Sequence, residues 1–179
     1  MCKIDRWPVI YDFNDLVSQI KVIKNSSDEF YQTKVDQQST FCQGDIISLN
    51  SPFPFIDEDG EIAIFQSTGL WVIIGNTCDI ARSNNNLPYT QVAPLFEIND
   101  TDIDKDILND LKDYQSFKKF YYQMIDGKHY ILDFTQICTL DKSFLKSKVN
   151  KIKELSYSGW ILLHCCLVRY FARDDGRDD

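Results

Sequence analysis

The residues best placed for chemistry lie close together. In Gly69-Leu70-Trp71-Val72-Ile73-Ile74-Gly75-Asn76-Thr77-Cys78-Asp79-Ile80 an apolar run stops at Gly75-Asn76, and a thiol and a carboxylate follow side by side. Arg82 comes shortly after them. A cysteine becomes a nucleophile only when a histidine, a cation or a helix N-terminus stabilises its thiolate. Asp79 alone works against that. The two histidines, His129 and His164, are far away in sequence, one opening a strand-like stretch and one inside an apolar helix-like stretch. Three roles therefore stay open for Cys78. It could be a nucleophile, or one member of a binding site with Asn76, Thr77, Asp79 and Arg82. It could also be a small buried residue beside an Asp79 that caps the turn through backbone amides.

Other polar residues say less. Asp45, after Gly44, could face a metal or a base, but a turn-capping aspartate is the simpler reading. The acidic run Asp57-Glu58-Asp59 lacks the alternating ligands and closing glutamate of a calcium loop. The six cysteines, Cys2, Cys42, Cys78, Cys138, Cys165 and Cys166, show no CxxC spacing, so a zinc site is not expected and neither metal nor cofactor is implied. Lys142, Lys146, Lys148, Lys151 and Lys153 carry no interleaved aromatics and read as a solvated face.

Composition narrows the class. A net charge of −8 disfavours non-specific binding to nucleic acid, because phosphate contacts need Lys and Arg. No stretch has the order of a signal peptide, and no apolar run reaches the ~20 residues needed to span a bilayer. A cytoplasmic protein with reduced thiols and no membrane partner is expected.

The elements that must hold these residues can be traced in order. Residues 1–40 read as an N-terminal extension. It has an extended start, a helix over 12–25 with Phe13, Leu16, Val17, Ile20 and Ile23 on one face, and a polar linker over 26–40. The core begins near Phe41. A strand follows the Gly44-Asp45 turn, then a loop rich in Pro and acid over 50–61, then a short strand to Gln66. Trp71–Ile74 is a strand buried on both faces. Tyr89–Glu97 is another, with Pro94 suggesting a bulge or an edge. Residues 100–126 read as a helical insertion, two helices or one bent near Tyr114–Ser116, the second part carrying Phe117, Phe120, Tyr121 and Met124. After the Asp126-Gly127 turn come a strand over 129–134, a second strand or its continuation over 136–140, a Lys-rich connection, and a C-terminal helix over 156–173 capped by Ser156. Trp160, Tyr170 and Phe171 are expected in the core. The charged tail, 174–179, should fray.

This order resembles the MazF/PemK family of toxins. Gly44-Asp45-Ile46, the strand Trp71–Ile74 followed by Asn76, and Val92-Ala93-Pro94-Leu95 are similar to the family's opening "GDI", its "RPVVVI" strand with Asn, and its "VAAIT"-like strand. Leu132-Asp133-Phe134-Thr135-Gln136-Ile137-Cys138-Thr139-Leu140-Asp141-Lys142-Ser143-Phe144-Leu145 is similar to "LLEQIRTIDKSRL", with a terminal helix after it in both. The resemblance covers 41–172 apart from the insertion. It implies an α+β fold: a small SH3-like β-barrel of the MazF/PemK/CcdB type with a C-terminal helix.

The departures bear on activity. The family's ribonucleases carry an Arg before the central strand and a Thr or Ser at the end of the next one. Leu70 and Phe96 stand at the matching positions. Hydrocarbon can neither stabilise a phosphorane nor move a proton. The expectation is a divergent family member without that chemistry, acting through contacts with a partner protein or a second copy of itself. Its place would be as accessory or sensor subunit of a toxin–antitoxin or phage-defence system. The alternative is an endoribonuclease with a site rebuilt from Cys78, Asp79 and Arg82, for which RNA is the substrate.

Overall fold

The computed structural model describes residues 13–26, 30–36, 40–56, 59–99, 103–114 and 119–171. The expectations for residues 1–11, for Asp57-Glu58 and for the tail 174–179 lie outside them, as does Cys2. The fold is α+β. A curled antiparallel sheet carries strands in the order β4 (Phe120–Ile125), β5 (Lys128–Asp133), β3 (Tyr89–Ile98), β2 (Ile62–Ile73), β1 (Ile46–Ile56) and β7 (Asn150–Lys153), with β6 (Cys138–Asp141) paired to the first half of β3. The helices are α1 (Phe13–Ser26), α2 (Thr77–Ala81), α3 (Lys105–Asp113), α4 (Lys142–Lys148) and α5 (Tyr157–Phe171).

The central stretch is buried on both faces, as its sequence predicts. Trp71, Val72, Ile73 and Ile74 are each at most 7% exposed. Their alternation divides the core. Val72 and Ile74 pack with Ile46, Ala93 and the buried face of α5. Trp71 and Ile73 pack on the other side with Ile47, Val92, Ile80 and Leu145. Helix α5 is apolar on nearly every side and is buried accordingly. Its start is where Ser156 puts it, the hydroxyl accepting from Gly159 N at 3.2 Å. Trp160 and Tyr170 are half-buried, whereas Phe171 stands outside the core at 67% exposed. Helix α1 contributes Ile20 and Ile23 to the same cluster as α5.

Strand β3 belongs to both halves of the sheet. Tyr89–Val92 pair with β6, and Leu95–Ile98 pair with β5. Pro94 is therefore not at an edge. Its missing N–H falls where β3 changes partner.

Two expectations are corrected. The segment Ser51–Ile56 is not loop but the distal half of β1, in register with β2 from Asn50↔Thr68 to Ile56↔Ile62. Pro52 and Pro54 fit because they share one phase of the strand, and β7 reaches only Ile46–Ser48 on the other side. The second helix of the insertion is strand β4. Phe120–Ile125 is aromatic-rich with inward residues at every second position, Tyr121, Gln123 and Ile125, which is strand periodicity. The Asp126-Gly127 turn between β4 and β5 has positive φ at both residues, 51° and 80°, as a two-residue hairpin of type I′ needs. The Lys-rich connection holds two elements the sequence did not reveal, α4 and β7. Among the described residues no helix is long and apolar enough to cross a membrane.

Candidate functional site

The Asn76–Arg82 stretch forms a short helix on the rim of the sheet. Gly75 permits it: a Cβ there would lie 2.1 Å from Thr90 Oγ1 and 3.1 Å from Gln91 N. Asn76 is the cap, its side-chain oxygen accepting from Cys78 N at 2.8 Å. Asp79 is thus not the capping residue. It is exposed and pairs with Arg82 at 3.0 Å, with the two side chains 52% and 62% exposed. Such a pair is weakly held. Cys78 is exposed, not buried, and its thiol makes no hydrogen bond among the described residues. Thr77 faces inward, where its hydroxyl accepts from Gln43 N at 2.9 Å.

What holds α2 in place is Lys142. Its side chain is 1% exposed, and its ammonium donates to the Asp79 carbonyl at 2.8 Å and the Arg82 carbonyl at 2.9 Å. A cation on carbonyls at the end of a helix answers both their lone pairs and the helix dipole. The backbone N–H of Lys142 donates to Pro88 O at 2.8 Å, and Asp141 caps α4 by accepting from Ser143 N at 2.8 Å. The Ser143 hydroxyl and then this backbone N–H, both donating to it, hold the Asp141 carboxyl below its ordinary range.

Lys151 is likewise buried, at 3% exposed, between Asp45 (3.2 Å) and Glu154 (2.7 Å). Lys142 and Lys151 are therefore not part of a solvated face, whereas the side chains of Lys146 and Lys148 lie outside the described residues. Asp45 also accepts from Cys42 N at 2.8 Å, the turn-capping role expected of it. Burial raises the Asp45 pKa despite the lysine beside it.

Neither histidine bonds to Cys78. The strand from Val92, beside α2, to Ile98, the partner of His129, spans roughly 20 Å at ~3.3 Å per residue. His164 packs on Trp160, ring centroids 4.9 Å apart, and burial lowers its pKa. Trp160 in turn donates to Gln43 Oε1 at 3.1 Å, so the imidazole is two side chains removed from Thr77. At the positions matching the family's ribonuclease pair, Leu70 is half-buried against the main core and Phe96 stands on β3 at 39% exposed. The α2 rim thus offers an exposed thiol and an exposed ion pair, with no base aimed at either among the described residues. Among the described residues no group of three His, Cys, Asp or Glu is placed to hold a metal ion.

A second constellation was missed in the sequence. Tyr122 and His129 share a hydrogen bond of 2.5 Å, hydroxyl to Nδ1, on the β4–β5 hairpin. They line a cleft of about 420 Å³ with Tyr31, Tyr114, Lys24 and Lys112. The signal was present: a two-residue Asp-Gly turn obliges its flanks to pair, which puts His129 opposite Met124 and diagonal to Tyr122.

No protein-family model matches the chain, and a comparison with curated proteins finds no match.

Proposed function

We propose that this chain is a catalytically divergent MazF/PemK-like protein of the cytoplasm. It works through protein–protein contacts, as accessory or sensor subunit of a toxin–antitoxin or phage-defence system. The observation that carries the reading is the outer half of the β1–β2 hairpin. Among the described residues, β1 beyond Ser48 and β2 before Trp71 pair with each other and with no third strand. An isolated two-stranded ribbon is marginal in water, and this one is written with Phe53, Phe55, Ile56, Ile62, Ile64 and Phe65. In this reading a partner chain packs against the ribbon. The curled antiparallel sheet with a terminal helix is compatible with the barrel that the resemblance implies. Leu70 and Phe96 leave the family's ribonuclease positions without a cation or a proton carrier.

The test is the mass of the purified chain in solution together with an RNA assay. The expected result is a dimer, or a stable complex with a co-expressed neighbour, that dissociates when the register pair Phe53 and Phe65 is changed to Asp. Single-stranded RNA should survive incubation. A monomer that retains no partner would overturn the reading. So would sequence-selective cleavage abolished by both Arg82→Ala and Asp79→Ala, which would establish the rebuilt endoribonuclease site instead.

A further inference from the structure

The cleft beside the β4–β5 hairpin has the composition of a ligand site. It lies between β4, the end of α1, the end of α3 and the segment Phe30–Tyr31. Its volume, about 420 Å³, falls in the range of small-molecule pockets. One wall is aromatic, built from Tyr31, Tyr114 and Tyr122, with the His129 ring 5.7 Å from that of Tyr122. The other wall carries two ammonium groups, Lys24 and Lys112, and among the described lining residues there is no Asp or Glu. Lys24 is engaged by Asp113, itself 53% exposed. Lys112, in the last turn of α3, makes no ion pair among the described residues.

The walls are set in advance. Tyr114 sits at the C-cap of α3 with φ 56°, held there as the buried Arg169 guanidinium donates to its carbonyl. Its hydroxyl donates to the Tyr122 carbonyl at 2.6 Å, and Tyr31 donates to Gln123 Oε1. The segment bearing Tyr31 is clipped to the body by Ser156 N to Phe30 O at 2.9 Å and Gln32 N to Glu154 O at 2.8 Å. Gly159 lets it approach, since a Cβ there would lie 2.3 Å from Phe30 O. Burial raises the pKa of the Tyr31 and Tyr114 hydroxyls still further, and both already donate to protein acceptors.

An aromatic wall offers stacking to a flat ring whatever its substituents. An ammonium on a flexible stem binds phosphate as a point charge. One class of ligand uses both walls. We propose that this cleft binds a nucleoside monophosphate, the base against Tyr31 and Tyr122 and the phosphate at Lys112 and Lys24. The proposal does not depend on the partner-binding reading, since the β1–β2 ribbon takes no part in the cleft.

The test is calorimetric titration of the full chain with AMP, UMP, adenosine and inorganic phosphate, each alone. AMP or UMP should bind saturably, and at least about tenfold more tightly than adenosine or phosphate, because each of those reaches one wall only. Lys112→Glu should weaken nucleotide binding about tenfold or more and leave adenosine within about twofold. Tyr122→Leu should weaken nucleotide and adenosine together. If Lys112→Glu fails to fold, Lys24→Glu replaces it with the same expectation. Absence of saturable nucleotide binding up to about 10 mM overturns the proposal. So does affinity fully accounted for by phosphate alone, or binding indifferent to the lysine and Tyr122 variants. Loss of the dimer or complex in Phe53 and Phe65 variants with nucleotide binding intact would separate this site from the ribbon.

Discussion

The α2 rim and the β4–β5 cleft occupy opposite ends of β3, and they hold their polar groups in opposite ways. At the rim the chemistry-bearing side chains, Cys78, Asp79 and Arg82, point outward, while the interactions that fix the helix run through its backbone to the buried Lys142. In the cleft the side chains bond to each other and to the edge of β4: Tyr114 to a Tyr122 carbonyl, Tyr122 to His129, Tyr31 to Gln123. A thiol and a carboxylate adjacent in sequence draw attention. Adjacency along a chain does not make two groups converge, whereas cross-strand pairing does. The sharper motif is the less organised site.

The contrast can be broken by mutation. The largest effect is expected at Lys142. Lys142→Ala removes a packed stem and leaves the Asp79 and Arg82 carbonyls without their donor, which should cost about 2–4 kcal/mol in urea unfolding. A cost below about 0.5 kcal/mol would mean that α2 is held by something else. In the cleft, Tyr114→Phe removes one hydroxyl from a protein carbonyl and should cost about 1 kcal/mol, with nucleotide affinity falling in step. Unchanged stability and affinity would show that the wall is not organised by that bond. The smallest effects belong to the rim's outward groups. Asp79→Ala and Arg82→Ala should each stay within about 0.5 kcal/mol of the parent, because the pair is more than half exposed. A loss above about 1.5 kcal/mol in either would make the rim as organised as the cleft and remove the distinction.

What could be read from sequence, and what could not, follows the range of the interactions. The strand Trp71–Ile74, the helix after Ser156 and the Asp126-Gly127 turn are local signals, and each is found where its residues put it. Residues 117–124 carry two local patterns at once. Their apolar positions fit a helical spacing, yet Phe120–Ile125 also alternate, and the adjoining hairpin turn decides for strand. Pro52 and Pro54 read as loop because proline is scarce in sheets. They are tolerated where one side of β1 has no neighbouring strand among the described residues, a fact that only the sheet order supplies. The burial of Lys142 was hidden for a similar reason, since its acceptors lie some sixty residues earlier in the chain. The "DKS" segment that resembles the toxin family is thus engaged in scaffolding: Asp141 as cap, Lys142 as anchor, Leu145 as core.

Lys142 has one more consequence. Its side chain grips the chain at Asp79 and Arg82, and its own N–H grips it again at Pro88. A single residue therefore pins both ends of the Ser83–Leu87 excursion. Extra residues inserted between those clamps would add only slowly to the entropy of closure, growing with the logarithm of loop length. The asparagine-rich tip is a place where this chain can be lengthened, or carry a foreign epitope, without the sheet beneath having to move.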